Sequence, residues 1–200
     1  MAPILKPNPR YAEFHETLAT HPQWLKPWTG TLFRFQTINF PTARDIISGA
    51  GARMRGGRWN PPGLAAVYGS TSDSIALEEC RAHDRYYGVV TKGPRVLVAI
   101  EVRLTKVLDL RLPSLRRALH ITQRELASED WRKLMQTRQE SQTQALGRAA
   151  AAIGASGMLV NSANARSGTN GVVFPSAHPD DCIEVVEGEK LARFSLKPKS

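Results

Sequence analysis

Between Gly49 and Arg81 the chain reads GAGARMRGGRWNPPGLAAVYGSTSDSIALEECR, and no other stretch limits the fold as tightly. Gly56 and Gly57 stand just before Arg58, and glycine permits positive φ and close approach of a ligand to the backbone. Asn60-Pro61-Pro62-Gly63 is turn chemistry. Leu64 to Tyr68 is short, apolar and strand-compatible. Ser70, Thr71, Ser72 and Asp73 offer N-caps ahead of an apolar-periodic segment. The order reads as loop, strand, helix.

On a helix from Ser74 to His83, with about 100° per residue, Ile75, Ala76, Cys80 and Ala82 fall on one arc with Glu79 near its middle. Glu78 lies at the edge of that arc. An unpaired charge is expensive to bury, so Glu79 needs a cation, a donor or a ligand. Arg53, Arg55 and Arg58 are candidate partners, and the plainest role for Glu79 is one half of a structural Glu–Arg pair. His83 stands one turn further on and is a candidate structural contact of Glu79.

The 200 residues suit one domain. A net charge of +9 favours an anionic partner. The basic residues are scattered, though, without the basic-aromatic stripe of a nucleic-acid module, so direct nucleic-acid binding is disfavoured. Cys80 and Cys182 lack CxxC spacing, and His178 is a lone histidine in a turn, so neither a disulfide framework nor a metal site is implied. The amino-terminal residues lack the apolar core of a signal peptide and no run reaches transmembrane length. The expectation is a soluble, cytoplasmic protein with reduced thiols.

In chain order the pattern predicts a helix over Tyr11–Ala19 and a turn-rich connector with Trp24 and Trp28 filling core gaps. A strand follows over Thr31–Ile38, on which Arg34 is the odd polar residue. Either its stem reaches water or its guanidinium serves a cleft as an anion fork. Beyond the central stretch, Arg95–Leu104 alternates as a strand and Val107–Leu110 reads as a second. Residues 114–142 read as a solvent-facing, insert-like pair of helices, and Thr143–Ile153 as a stronger helix. Then come a strand, a polar Ser/Asn loop, a strand, and a last strand over Ile183–Glu187. The expected class is a single α+β domain with a mixed, mostly antiparallel sheet and flanking helices. It would span residues 31–188, with an extension (1–30) packed on it and a basic tail (189–200).

No Walker A, GxGxxG, HExxH or GxSxG motif is present. What remains is arginines for phosphates, a tyrosine able to stack on a ring, and a glutamate able to stabilise an oxocarbenium-like centre. These residue types suit a nucleotide whose ribosyl–base bond is broken.

The segment GARMRGGRWNPPGLAAVYGSTSDSIALEE resembles the RES-domain family, named for an arginine, a glutamate and a serine. The resemblance spans roughly Leu32 to Glu187 and is sharpest at GGRWNPPG with the following tyrosine and helical glutamate. It implies a fold similar to diphtheria-toxin-like ADP-ribosyltransferases and a toxin of a toxin–antitoxin pair, with a helix-turn-helix (Xre-like) antitoxin as partner. It implies action on NAD, by hydrolysis, phosphorolysis or transfer of ADP-ribose to a protein. The family's arginines fall on Arg34 and Arg58, its tyrosine on Tyr68, and its glutamate on Glu79 rather than Glu78. Its serine falls on Ser162, followed by Asn170; Ser176 fits another version of the pattern. By the same resemblance Arg34 and Arg58 hold the NAD pyrophosphate and Tyr68 stacks on the nicotinamide side. Glu79 stabilises the cation formed as nicotinamide leaves, and Ser162 orients Glu79. The competing classes are a basic nucleic-acid-binding module and a protein-interaction domain without catalysis.

Overall fold

The computed structural model describes residues 4–37, 42–88, 94–165, 167–175 and 178–194. The elements in order are α1 (Tyr11–Ala19), β1 (Leu25–Thr37), α2 (Ala43–Ile47), α3 (Ala50–Arg55), β2 (Val67–Ser70), α4 (Asp73–Tyr87) and β3 (Arg95–Asp109). They continue with α5 (Pro113–Ala118), α6 (Gln123–Ser128), α7 (Trp131–Gln136), α8 (Gln142–Ala152), β4 (Gly157–Asn161), β5 (Thr169–Val173) and β6 (Cys182–Val185).

The long alternating run is the spine of the sheet. The two strands expected around residues 95–110 are one strand, β3: Thr105 lies at the register shift between Leu104 and Val107, outside the ladder, and its N–H stays satisfied by donating to Asp181 Oδ1 at 2.8 Å. β3 pairs antiparallel with β1 from Leu25↔Leu108 to Thr37↔Arg95, antiparallel with β6, and parallel with β4. β1 also begins earlier than expected, at Leu25 instead of Thr31, and absorbs Pro27 by a register shift between Lys26 and Trp28. Proline has no N–H for a ladder, so a bulge is where it fits. β1 joins β2, β2 joins β5 and β5 joins β4, all antiparallel, so the pairings run in a closed circuit back to β3. The sheet is mixed and mostly antiparallel, as expected.

Alternation splits the core in two. Leu32, Val67, Val98, Ile100, Val102, Leu104, Leu159 and Val173 fill one side of the sheet. On the other side Leu108, Met158, Val160 and Val172 meet α1, α5, α6 and α8 through Phe14, Leu18, Leu115, Leu119, Leu126, Leu146 and Ala149. Leu97, on the opposite face of β3 from Val96 and Val98, is 40% exposed.

Two further expectations change. The glycine-rich segment before Arg58 holds a helix, α3, bounded by Gly49 (φ +66) and Gly56 (φ +74), instead of being loop throughout. Residues 114–142 form three short helices rather than two and are no solvent-facing insert, since Leu115, Leu119, Ile121 and Leu126 lie in the core.

α8 backs the turn that carries Arg58. Gln144, fully buried, donates through Nε2 to the Gly57 carbonyl at 2.9 Å. Gly147 lets the helix touch that turn, for a Cβ there would stand 1.8 Å from the Trp59 carbonyl oxygen. Helix propensity alone favours alanine over glycine by about 1 kcal/mol. Here the clash with fixed backbone wins, so Gly147→Ala destabilises by about 1–3 kcal/mol, as overpacking does. Urea unfolding checks the sign; a gain in stability contradicts this packing.

Candidate functional site

α4 starts cleanly: the Ser72 hydroxyl accepts from the Ile75 N–H and Asp73 sits in the first turn, with Gly88 at φ +60 closing the other end. That fixes which residues of α4 face the sheet. Glu78 is turned outward into an exposed ion pair with Arg81 at 2.9 Å. Glu79 is turned toward the β4–β5 connection, and neutral groups meet it. Ser162 Oγ donates to Oε1 at 2.5 Å, Asn170 Nδ2 donates to Oε1 at 2.7 Å, and Asn164 Nδ2 donates to Oε2 at 2.6 Å. Three donors converging on two oxygens are the complement of a carboxylate anion. Among the described residues no arginine pairs with Glu79, so the structural Glu–Arg pair is replaced by a polar cradle. His83 packs on Tyr87, with ring centroids 4.8 Å apart.

The donors are themselves oriented. Ser162 Oγ accepts from the backbone N–H of Asn164 at 3.0 Å and of Ala165 at 2.8 Å, which leaves its proton for Glu79. Ser70 Oγ donates to Asn170 Oδ1 at 2.7 Å, which turns the amide nitrogen toward Glu79. Ser70 and Asn170 are direct cross-strand partners on β2 and β5. Of the residues singled out in the sequence, Ser162 and Asn170 thus gather at Glu79. Asn164 and Ser70 join them without having been singled out. The density of small donors in that loop was the signal for Asn164; Ser70 read only as a helix cap.

Arg58 enters from the other side. Its Nη1 donates to the carbonyls of Leu126 at 3.0 Å and Glu129 at 3.2 Å, which aims the side chain, and among the described residues no carboxylate is bonded to it. Burial, and then the charge of Arg132, push the guanidinium below its ordinary range, whereas Glu79 acts in the opposite sense. Glu79 and Arg58 are therefore within electrostatic reach without being paired. Arg34 on β1 is pushed down by burial as well, and its guanidinium makes no hydrogen bond among the described residues; it is not joined to the Glu79 network. Ser176 lies outside the described residues.

Tyr68 has a second use. Its hydroxyl accepts from the Trp59 N–H at 3.0 Å and donates to Asn60 Oδ1 at 2.7 Å, and burial raises its pKa. Asn60 Nδ2 in turn donates to the carbonyls of Ala52 at 3.0 Å and Leu64 at 2.8 Å. A side chain at Gly57 would put Cβ 2.5 Å from that hydroxyl, which accounts for the glycine. The oxygen of Tyr68 is thus the pivot of the Arg58 turn. Tyr68→Phe keeps the ring and strips a buried donor and acceptor of their partner, so it costs about 1–3 kcal/mol, read as a lowered urea midpoint; an unchanged midpoint contradicts the pivot. Among the described residues no group of three or more His, Cys, Asp or Glu is placed to hold a metal.

The chain as a whole is similar to known proteins. The model of the RES domain matches residues 31–193. The NAD(+) phosphorylase MbcT of Mycobacterium bovis and of Mycobacterium tuberculosis is 32% identical over 143 residues, 68% of this chain and 69% of theirs. The Prs ADP-ribosylating toxin of a Sphingobium species is 39% identical over 74 residues, 37% of this chain and 45% of that protein. The crystal structure of the M. tuberculosis MbcT–MbcA toxin–antitoxin complex contains a chain of similar fold, with TM-score 0.66 and 23% identity, covering 90% of this chain and 99% of that one.

Proposed function

This chain belongs to the RES-domain family, and on that premise we propose that it is the toxin of a toxin–antitoxin pair and cleaves the nicotinamide–ribose bond of NAD. The observation that carries this reading is the Glu79 carboxylate held by Ser162, Asn164 and Asn170 within electrostatic reach of Arg58. In the reaction the C1′–N bond breaks and its electron pair leaves with neutral nicotinamide. Positive charge then spreads over C1′ and the ribose ring oxygen. A carboxylate already oriented needs no reorganisation to stabilise that charge. The acceptor adds at C1′ and loses a proton.

In this scheme Arg34 and Arg58, whose guanidinium groups pair with no carboxylate among the described residues, take the pyrophosphate. Tyr68 presents its ring to the nicotinamide side while its hydroxyl keeps the Arg58 turn. Ser162 and Asn170 hold Glu79 at the ribose. No metal is required by any step. The fold is then of the diphtheria-toxin-like ADP-ribosyltransferase kind. NAD is cytoplasmic, and so is the site of action. No helix among the described residues is long and apolar enough to cross a membrane.

Phosphorolysis leads among the acceptors, because the relative matched over 143 residues carries that name. Transfer of ADP-ribose to a protein is the second reading, supported by the 39% identity to an ADP-ribosylating toxin. Hydrolysis shares the first half-reaction with both. A cognate antitoxin of the helix-turn-helix, Xre-like kind fits a chain whose structural relative is described as part of a toxin–antitoxin complex.

Product analysis separates these readings. With NAD and inorganic phosphate, ADP-ribose phosphate should accumulate with nicotinamide. If label from NAD appears instead on one protein band only when lysate is added, transfer replaces phosphorolysis. No nicotinamide under any condition overturns the proposal and favours a binding module. Arg58→Lys loses the planar fork and should lower kcat/KM by about tenfold or more; wild-type kcat/KM would remove Arg58 from the site.

A further inference from the structure

Arg132, the second residue of α7, forms no ion pair among the described residues. Its guanidinium carbon stands 4.4 Å from the ring centroid of Tyr86, 5.6 Å from Tyr87 and 4.4 Å from Trp131. Rings cover the faces of a guanidinium; its N–H groups point outward in the plane and still need acceptors. Nε is excluded from solvent and has no partner, and the other nitrogens donate no hydrogen bond among the described residues.

The neighbouring carboxylates are committed elsewhere. Glu129 caps α8, accepting from the Gln142 N–H at 2.7 Å, the Thr143 N–H at 2.9 Å and the Thr143 hydroxyl at 2.8 Å. Asp130 caps α7 through the Lys133 N–H at 3.1 Å. The next cation, Arg58, is anchored on the carbonyls of Leu126 and Glu129, at the entrance to α7. The fold therefore brings two arginines together, and among the described residues no carboxylate is bonded to either. Arg58 bonds the Glu129 carbonyl, three residues before Arg132, while Arg132 lies over Tyr86 and Tyr87 of α4; in keeping with this, Arg132 disfavours the charge on Arg58 and protonation of His83. Tyr86 and Tyr87 end the same helix, α4, that carries Glu79 and His83, so Arg132 is held on the element that bears Glu79.

We propose that Arg58 and Arg132 together form a phosphate-binding pair of this site, with Tyr86, Tyr87 and Trp131 holding Arg132 edge-on to the anion. A phosphate offers several oxygens to two guanidinium forks. The phosphate is either the pyrophosphate of NAD or the inorganic phosphate that accepts ADP-ribose, and as such the inference rests on the reading of the site as NAD-consuming. Arg132 is a binding and positioning residue; it leaves the bond cleavage to Glu79.

The test uses Arg132→Gln, which removes the charge, with Arg132→Lys as a second variant that keeps it without the fork. Nicotinamide release is followed with NAD varied at fixed phosphate, then with phosphate varied at saturating NAD. Arg132→Gln should raise the KM for NAD by about tenfold if the pair holds the pyrophosphate, or the half-saturating phosphate by about tenfold if it holds the acceptor. Either outcome supports the pair. Unchanged concentration dependences in a folded variant overturn it, and a lowered melting temperature alone assigns Arg132 to packing.

A second measurement does not need turnover. Inorganic pyrophosphate is titrated into the protein while the His83 ring is followed by NMR. His83 is held below the ordinary histidine range by burial, then by Arg132; Asp84 acts against this, and Arg95 and Arg55 with it. Neutralising the cation should raise the His83 pKa, so pyrophosphate raises it in the wild type and fails to in Arg132→Gln. If the wild type releases no nicotinamide yet shows this shift, the NAD reading has failed and the anion pair stands. If nicotinamide is released and pyrophosphate leaves His83 unmoved, the pair has failed and the NAD reading stands.

Discussion

One half-buried carboxylate sets the terms for much of this molecule. Glu79 sits on the sheet-facing side of α4, where an unmet charge would cost several kcal/mol. The chain meets it with neutral donors instead of a cation, drawing Ser162 and Asn164 from the β4–β5 connection and Asn170 from β5. An ion pair would have consumed the negative charge. A cradle of hydroxyl and amide donors fixes its direction and leaves it able to act on a positive centre arriving from outside.

The same economy governs the cations. Arg58 is held by the carbonyls of Leu126 and Glu129 while the Glu129 carboxylate is spent on the start of α8. The Tyr68 hydroxyl, the Asn60 amide and the Gln144 amide pin the turn, and Gly147 lets α8 press on it. Two helices and a turn thus present uncompensated positive charge beside an oriented negative one. That arrangement costs stability, and the layered core of the sheet must supply it.

Parts of this were legible in the sequence and parts were not, for definable reasons. Glu79 stood out because α4 is long enough for its apolar arc to show, and 79 lies inside that arc while 78 lies at its edge. The alternation of β3 from Val96 to Leu104 was equally plain, yet its continuation through Thr105 was hidden, since the group that satisfies Thr105 is Asp181, far along the chain. Residues 114–142 looked like a solvated insert because helices of six residues complete under two turns, too few for a buried stripe to declare itself. Arg132 was lost for the same reason. Tyr68 could be read as a ring for a ligand; the load on its hydroxyl depends on a turn whose closure no local pattern specifies. Asn164 resembled any polar turn residue until the loop was folded back onto Glu79.

The most direct measurement is nicotinamide release from NAD by the wild-type protein and by Glu79→Gln under identical conditions, with the variant shown to be folded by circular dichroism and urea unfolding. The account predicts steady release by the wild type and a fall of at least about a hundredfold in the variant, whose amide keeps the shape of the carboxylate and loses its charge. Full turnover by Glu79→Gln would contradict the account at its centre.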